Sequence, residues 1–186
     1  FYTTKCVTSG EGGCVVTNYK RTYEKIKRLR QFGVLKKDKD NHELFGSNFK
    51  LSEIQAAFLL TDLERSKIRV TKRNLIAKCY QKNFKNSEWL ALKPDNGTTS
   101  YYKQIIIGPV KRNILKKYLN KYKIQLTGGV YNIPIHKQKR YKKKFIQSEF
   151  PNANFFCDYH FCPPCFPEIN FKQVDYISKK ILKFKS

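Results

Sequence analysis

The sequence predicts an α/β chain in which a small α+β lobe follows one long helix. Three observations carry that reading. Ser52 followed by Gln55 opens an apolar stripe at helical spacing that continues to about Phe84, long for a globular helix. Beyond it the order strand, helix, strand, helix suits an α+β lobe better than a parallel βαβ domain. Ahead of it, a Gly10-Glu11-Gly12-Gly13 turn feeds a β-branched run from Cys14 to Thr17.

The elements follow in order. Cys14 to Thr17 reads as a short strand, and Tyr19 to Phe32 as a basic amphipathic helix with Tyr23, Ile26, Leu29 and Phe32 on its apolar face. Gly33 is placed to end that helix. Val34 to Phe45 is a charged loop without periodicity. The long helix carries its stripe on Ile54, Ala57, Phe58, Leu60 or Thr61, Ile68 and Leu75. Trp89 to Thr99 is a turn-rich connector holding Pro94 and Asn96-Gly97, and Tyr101 to Gly108 is a strand centred on three isoleucines. Lys111 to Tyr122 is a helix, Ile124 to Leu126 a short strand, and Gly128-Gly129 a break. After Tyr131 come a basic segment and a proline-punctuated loop. Asn170 to Phe184 closes the chain as a helix, Asn170 its N-cap and Val174, Ile177, Ile181 and Phe184 one face.

Composition narrows the class. The net charge of +24 invites a nucleic-acid partner. Lysine supplies 30 of the 38 basic residues, however, and arginine, the better residue for bidentate phosphate and base-edge contacts, only eight. The densest patch, Lys137 to Lys144, has six basic residues in eight, and reads as a solvated face or as attraction for an anionic substrate. A basic nucleic-acid-binding module therefore stays open as the alternative, with no specific nucleic acid expected. No run nears the roughly 18 apolar residues of a membrane span, and the start resembles no signal or transit peptide, so a cytoplasmic location without membrane association is expected. Six scattered cysteines fit reduced thiols. Cys157, His160, Cys162 and Cys165 crowd together, but one Cys-x-x-Cys containing two prolines, without a second pair, predicts no metal site.

The chemistry concentrates at the start. Lys5 stands five residues before the Gly10-Glu11-Gly12-Gly13 turn, where flexible backbone can bring an amine close to a ligand. Such an amine can attack a carbonyl, above all the aldehyde of pyridoxal phosphate, provided its surroundings favour its neutral form. As a string, Phe1 to Asn18 resembles the Schiff-base segment of the DegT/DnrJ/StrS sugar aminotransferases, with Tyr2 where their motif has histidine. Gly46 to Ala57 is similar to their Gly-x-Asn-Tyr-Arg-Met-x-x-x-Gln-Ala-Ala block, Tyr131-x-x-Pro134-x-His136 to their Tyr-x-x-Pro-Leu-His block, and Cys162-Pro163-Pro164 to their Leu-Pro segment. The blocks run in family order from residue 1 to about residue 182.

The resemblance implies a pyridoxal-phosphate-dependent aminotransferase fold. Residues 1–50 would close the large cofactor-binding domain, 51–86 form the connecting helix, and 87–186 the small C-terminal domain. It implies Lys5 as the Schiff-base lysine, and amino transfer rather than dehydration, because dehydrating relatives carry histidine there. It implies that Asn48 reaches the cofactor phosphate of a partner subunit in a homodimer with shared active sites. Lys50, where the family usually has arginine, keeps the charge but not the planar fork. Tyr131 and His136 are implied on the substrate side, although either could simply pack. Glu11 reads as a buried turn carboxylate or a backbone clamp. The implied substrates are a nucleotide-linked keto-sugar and an amino-acid donor, usually glutamate. A chain without methionine is read as the C-terminal portion of a longer enzyme, inactive alone. A degenerate relative without turnover is the remaining alternative.

Overall fold

The computed structural model describes residues 1–34, 38, 40–126, 129–141 and 149–184. Gly128, parts of the 34–45 loop and the Lys142–Lys144 end of the basic patch lie outside them. The chain divides into two compact units, Phe1–Ser66 and Lys67–Ser186.

In the first unit α1 spans Lys20–Leu29. It stops where Phe32 and Gly33 turn to positive φ, 55° and 74°. The Gly33 amide then donates to the Arg28 carbonyl at 2.9 Å. A Cβ on Gly33 would lie 1.8 Å from the Leu44 carbonyl oxygen, so glycine is required by both conformation and space. The returning chain is tied by isolated bridges, Val34 with His42 and Gln31 with Asn48, and by an Arg28–Glu43 ion pair. Among the described residues, every buried hydrophobic side chain lies at Ile76 or beyond, so hydrogen bonds and glycine contacts hold this unit together.

The long helix α2 spans Glu53–Phe84 and contributes to both units. Its capping box forms: the Gln55 amide donates to Ser52 Oγ at 3.2 Å, and the Ser52 amide to Gln55 Oε1 at 3.4 Å. The apolar stripe that marks the helix in the sequence is not its buried face. Ile54, Phe58, Leu60, Ile68 and Leu75 are exposed, whereas Ile76, Ala77, Tyr80 and Phe84 are buried. Periodicity gives the helix but not the azimuth of its packed face when apolar residues stand on more than one side.

The second unit holds the core. Strands β1 (Leu90–Ala91), β2 (Ile106–Ile107) and β3 (His160–Phe161) form an antiparallel sheet in that order, with Ile106 opposite both Ala91 and Phe161. Helices α3 (Arg112–Asn120), α4 (Pro151–Tyr159) and α5 (Phe171–Leu182) accompany it. Leu115 and Leu119 of α3, Val174, Ile177 and Ile181 of α5, and the buried end of α2 share one cluster with Ile106, Phe161 and Trp89. Trp89 meets Phe161 edge-on at 5.8 Å, and a Cβ on Gly108 would stand 2.1 Å from its ring. Asn170 caps α5, accepting from the Gln173 amide at 2.9 Å, while Gln173 Oε1 accepts from the Asn170 amide at 3.0 Å.

Several expected strands are absent or short. Cys14–Thr17 and Ile124–Leu126 carry no ladder, and the Tyr101–Gly108 strand narrows to two residues. β-branched residues favour extended backbone, but a strand exists only where a second segment supplies hydrogen-bond partners. The reverse holds for α4, expected as loop, where Pro151 occupies the first turn that lacks internal N–H partners.

Candidate functional site

Residues 1–10 close on themselves around Lys5. The Lys5 amide donates to the Tyr2 carbonyl at 2.9 Å, the Ser9 amide to the Phe1 carbonyl at 3.0 Å, and Tyr2 bridges Gly10. The Thr8 hydroxyl donates to the Phe1 carbonyl at 2.8 Å and accepts from the Gly10 amide at 3.0 Å. Asp62 of α2 fastens this loop from outside, its Oδ2 accepting the Thr8 amide at 2.9 Å. Nothing in the sequence singled out Asp62, because a helical aspartate gives no sign of what it faces. Lys5 is exposed on the fastened loop, and so is Glu11, which corrects one of its two readings, the buried turn carboxylate.

The same unit brings the second motif to the first. Gly12, at φ 120°, leaves space that Leu51 fills: a Cβ there would be 2.8 Å from Leu51 Cδ1. Leu51 directly follows Lys50. Asn48 is laced to the end of α1, with the Ser47 amide donating to Leu29 at 3.1 Å and the Phe49 amide to Arg30 at 3.0 Å. Gly46 permits this, since its Cβ would be 2.4 Å from the Gly33 nitrogen. The side chains of Asn48 and Lys50 are both exposed. The result is an amine and an amide on backbone held by main-chain bonds, with the Lys50 side chain two residues beyond the amide.

Tyr131 and His136 lie in the second unit. Tyr131 is 73% exposed. His136 is buried, its Nε2 within 3.0 Å of Asn154 Oδ1 and its ring stacked on Phe150 at 4.9 Å. Beneath Tyr131 is a polar cluster that sequence reading noticed only as part of a cysteine crowd. His160, fully buried, receives the Val130 amide on Nε2 at 2.7 Å and engages the Phe156 carbonyl through Nδ1. Arg112 donates to the His160 carbonyl at 3.0 Å, and Lys103 Nζ to the Gly129 carbonyl at 3.3 Å. Burial lowers the His160 pKa, with Arg112 and Lys103 adding to the effect against the Phe156 carbonyl. Cys157, Cys162 and Cys165 are buried, and Cys165 Sγ faces the Tyr101 carbonyl at 3.7 Å. Among the described residues no cluster suited to a metal occurs, and no helix is long and apolar enough to cross a membrane.

The chain is similar to known proteins along nearly its whole length. A model of the DegT/DnrJ/EryC1/StrS aminotransferase family matches residues 1–182. The UDP-4-amino-4,6-dideoxy-N-acetyl-beta-L-altrosamine transaminase of Helicobacter pylori is 30% identical, across 98% of this chain and 50% of that protein. The GDP-perosamine synthase of Escherichia coli O157:H7 is 27% identical, across 100% and 50% respectively. Among solved structures, Helicobacter pylori PseC, an aminotransferase involved in the biosynthesis of pseudoaminic acid, superposes with a TM-score of 0.85 at 29% identity. That match covers 96% of this chain and 50% of PseC. The chain thus spans about half the length of the relatives it matches.

Proposed function

The chain belongs to the DegT/DnrJ/EryC1/StrS aminotransferase family, and from that premise we propose that it carries the reactive lysine of a nucleotide-sugar transaminase. The observation that carries the reading is the closed Lys5 loop, tied by its own main chain and by Asp62, with Lys5 exposed. The cofactor proposed is pyridoxal phosphate. An exposed primary amine, an amide donor and a cation in one unit complement an aldehyde that bears a phosphate, so the donor set fits. Once bound, the cofactor supplies that aldehyde and a ring able to take up negative charge.

Lys5 Nζ would hold the cofactor covalently and, when released by an incoming amine, would carry a proton between the substrate carbon and the cofactor's aldehyde carbon. Asn48 Nδ2 would donate to a phosphate oxygen of the partner subunit's cofactor, within a homodimer. Lys50 would meet an anionic group as a point charge, without an arginine's paired donors. Tyr131 and His136 would line the substrate side. Asn154 and Phe150 restrain the His136 ring, which favours an orienting hydrogen bond from it. The relatives are named for UDP- and GDP-linked sugars, which supports a nucleotide-linked sugar as substrate; a keto-sugar acceptor and glutamate as donor complete the proposal. Residues 1–50, 51–86 and 87–186 would then be the end of the large domain, the connecting helix and the small domain.

The test is chemical capture. Borohydride reduction of the whole enzyme, loaded with pyridoxal phosphate, should leave the cofactor mass on the peptide containing Lys5. Capture spread evenly over many lysines, and unchanged in Lys5→Ala, would overturn the assignment.

A further inference from the structure

The turn that carries Tyr131 is held from below by groups that the reaction itself does not use. The Val130 amide donates to His160 Nε2 at 2.7 Å, so that nitrogen must carry a lone pair and the ring proton sits on Nδ1, facing the Phe156 carbonyl. Gly129 packs so closely that a Cβ would lie 2.5 Å from His160 Nε2 and 2.4 Å from an Arg112 nitrogen. Lys103 takes the Gly129 carbonyl at 3.3 Å. Gly129 and Val130 are therefore clamped at both residues, while the next residue, Tyr131, is 73% exposed.

We propose that His160 is a positioning residue for substrate binding: its neutral Nε2 anchors the Val130 amide and so fixes the turn that presents Tyr131. The inference rests on the reading that Tyr131 faces the substrate. The clamp is conditional, because a protonated Nε2 is a donor and would oppose the Val130 N–H rather than receive it. The charged groups facing the ring are Arg112 of α3 and Lys103 ahead of β2, both cations, which disfavour a further positive charge on it. Burial acts in the same direction. Neutral solution therefore keeps the turn fixed, and acid, below the ordinary histidine value of about 6.5, releases it.

Two measurements on the cofactor-loaded enzyme test this. The first compares His160→Gln, whose side-chain oxygen accepts without titrating, with His160→Leu, which cannot accept. With the nucleotide-linked sugar, His160→Leu should raise KM about five- to tenfold at every pH, as expected for one lost hydrogen bond, with kcat nearly unchanged. Wild type should approach that KM only in acid, and His160→Gln should stay low throughout. A KM in His160→Leu equal to that of wild type would overturn the proposal. The second is amide exchange at Val130, which should accelerate when wild-type His160 protonates but not in His160→Gln. Exchange indifferent to His160 protonation would overturn the clamp without any reference to activity. If the clamp holds and Tyr131→Ala leaves KM untouched, the fault lies in the substrate-facing reading of Tyr131, and the positioning role falls with it.

Discussion

Lys5 and Gly33 show two ways in which a single residue decides this structure. For Lys5 the loop fixes position and the amine supplies chemistry. Lys5→Ala should leave the loop's main-chain bonds intact yet lower transamination by at least the roughly 10²–10⁴-fold that positioned proton transfer contributes. A steady-state rate and a circular dichroism spectrum, taken together, check both halves. For Gly33 the backbone is everything. Its φ of 74° and the Leu44 oxygen 1.8 Å from a hypothetical Cβ leave no room for a side chain. Gly33→Ala should cost about 1–3 kcal/mol in backbone strain alone and displace the chain that returns to Asn48. Faster amide exchange at Phe49, whose N–H bonds Arg30, would report that displacement.

Among the elements, α5 is the one whose limits the sequence states most fully, because its start is written in two side chains. Asn170 and Gln173 satisfy each other's amides, and Val174, Ile177 and Ile181 then fall on the buried face. Asn170→Ala should destabilise the second unit by about 0.5–2 kcal/mol, seen as a melting temperature lowered by a few degrees. The sheet should be pH-sensitive through His160 of β3. His160 has a lowered pKa, so the unfolded chain takes up its proton first as pH falls. Its stabilising contribution is complete above about pH 6.5 and is lost as pH falls through the folded-state value. Denaturant midpoints measured across that range should decline toward acid in wild type and flatten in His160→Gln.

At the scale of the whole molecule, the proposed homodimer makes a prediction that neither unit makes alone. If Asn48 serves the neighbour's cofactor, a hybrid of Asn48→Ala and Lys5→Ala subunits has one site with both defects and one with neither. About half the wild-type activity should then survive. If Asn48 acts within its own subunit, each site carries one defect and the hybrid should be nearly inactive. In the uniform Asn48→Ala protein, loss of one hydrogen bond to a charged phosphate, about 1.5–3 kcal/mol, should weaken cofactor retention about tenfold or more. Equilibrium dialysis measures that without turnover.

What the sequence by itself determined here is local chemistry. The Lys5 string with its glycine turn, the Ser52–Gln55 cap, the Asn170 N-cap, and the glycine that stops α1 depend on residues within a few positions of one another. Their backbone demands can be read without knowing what lies across the fold. The tertiary structure alone decided which face of α2 is buried and which extended segments find a ladder, and it alone revealed what holds the motifs in place. Asp62 reaches Thr8 across 54 residues and His160 reaches Val130 across 30. Those bonds depend on where distant backbone passes, and residue identity carries no mark of that. A helical aspartate and a histidine beside a proline-rich turn look the same in sequence whether they face water or a buried amide.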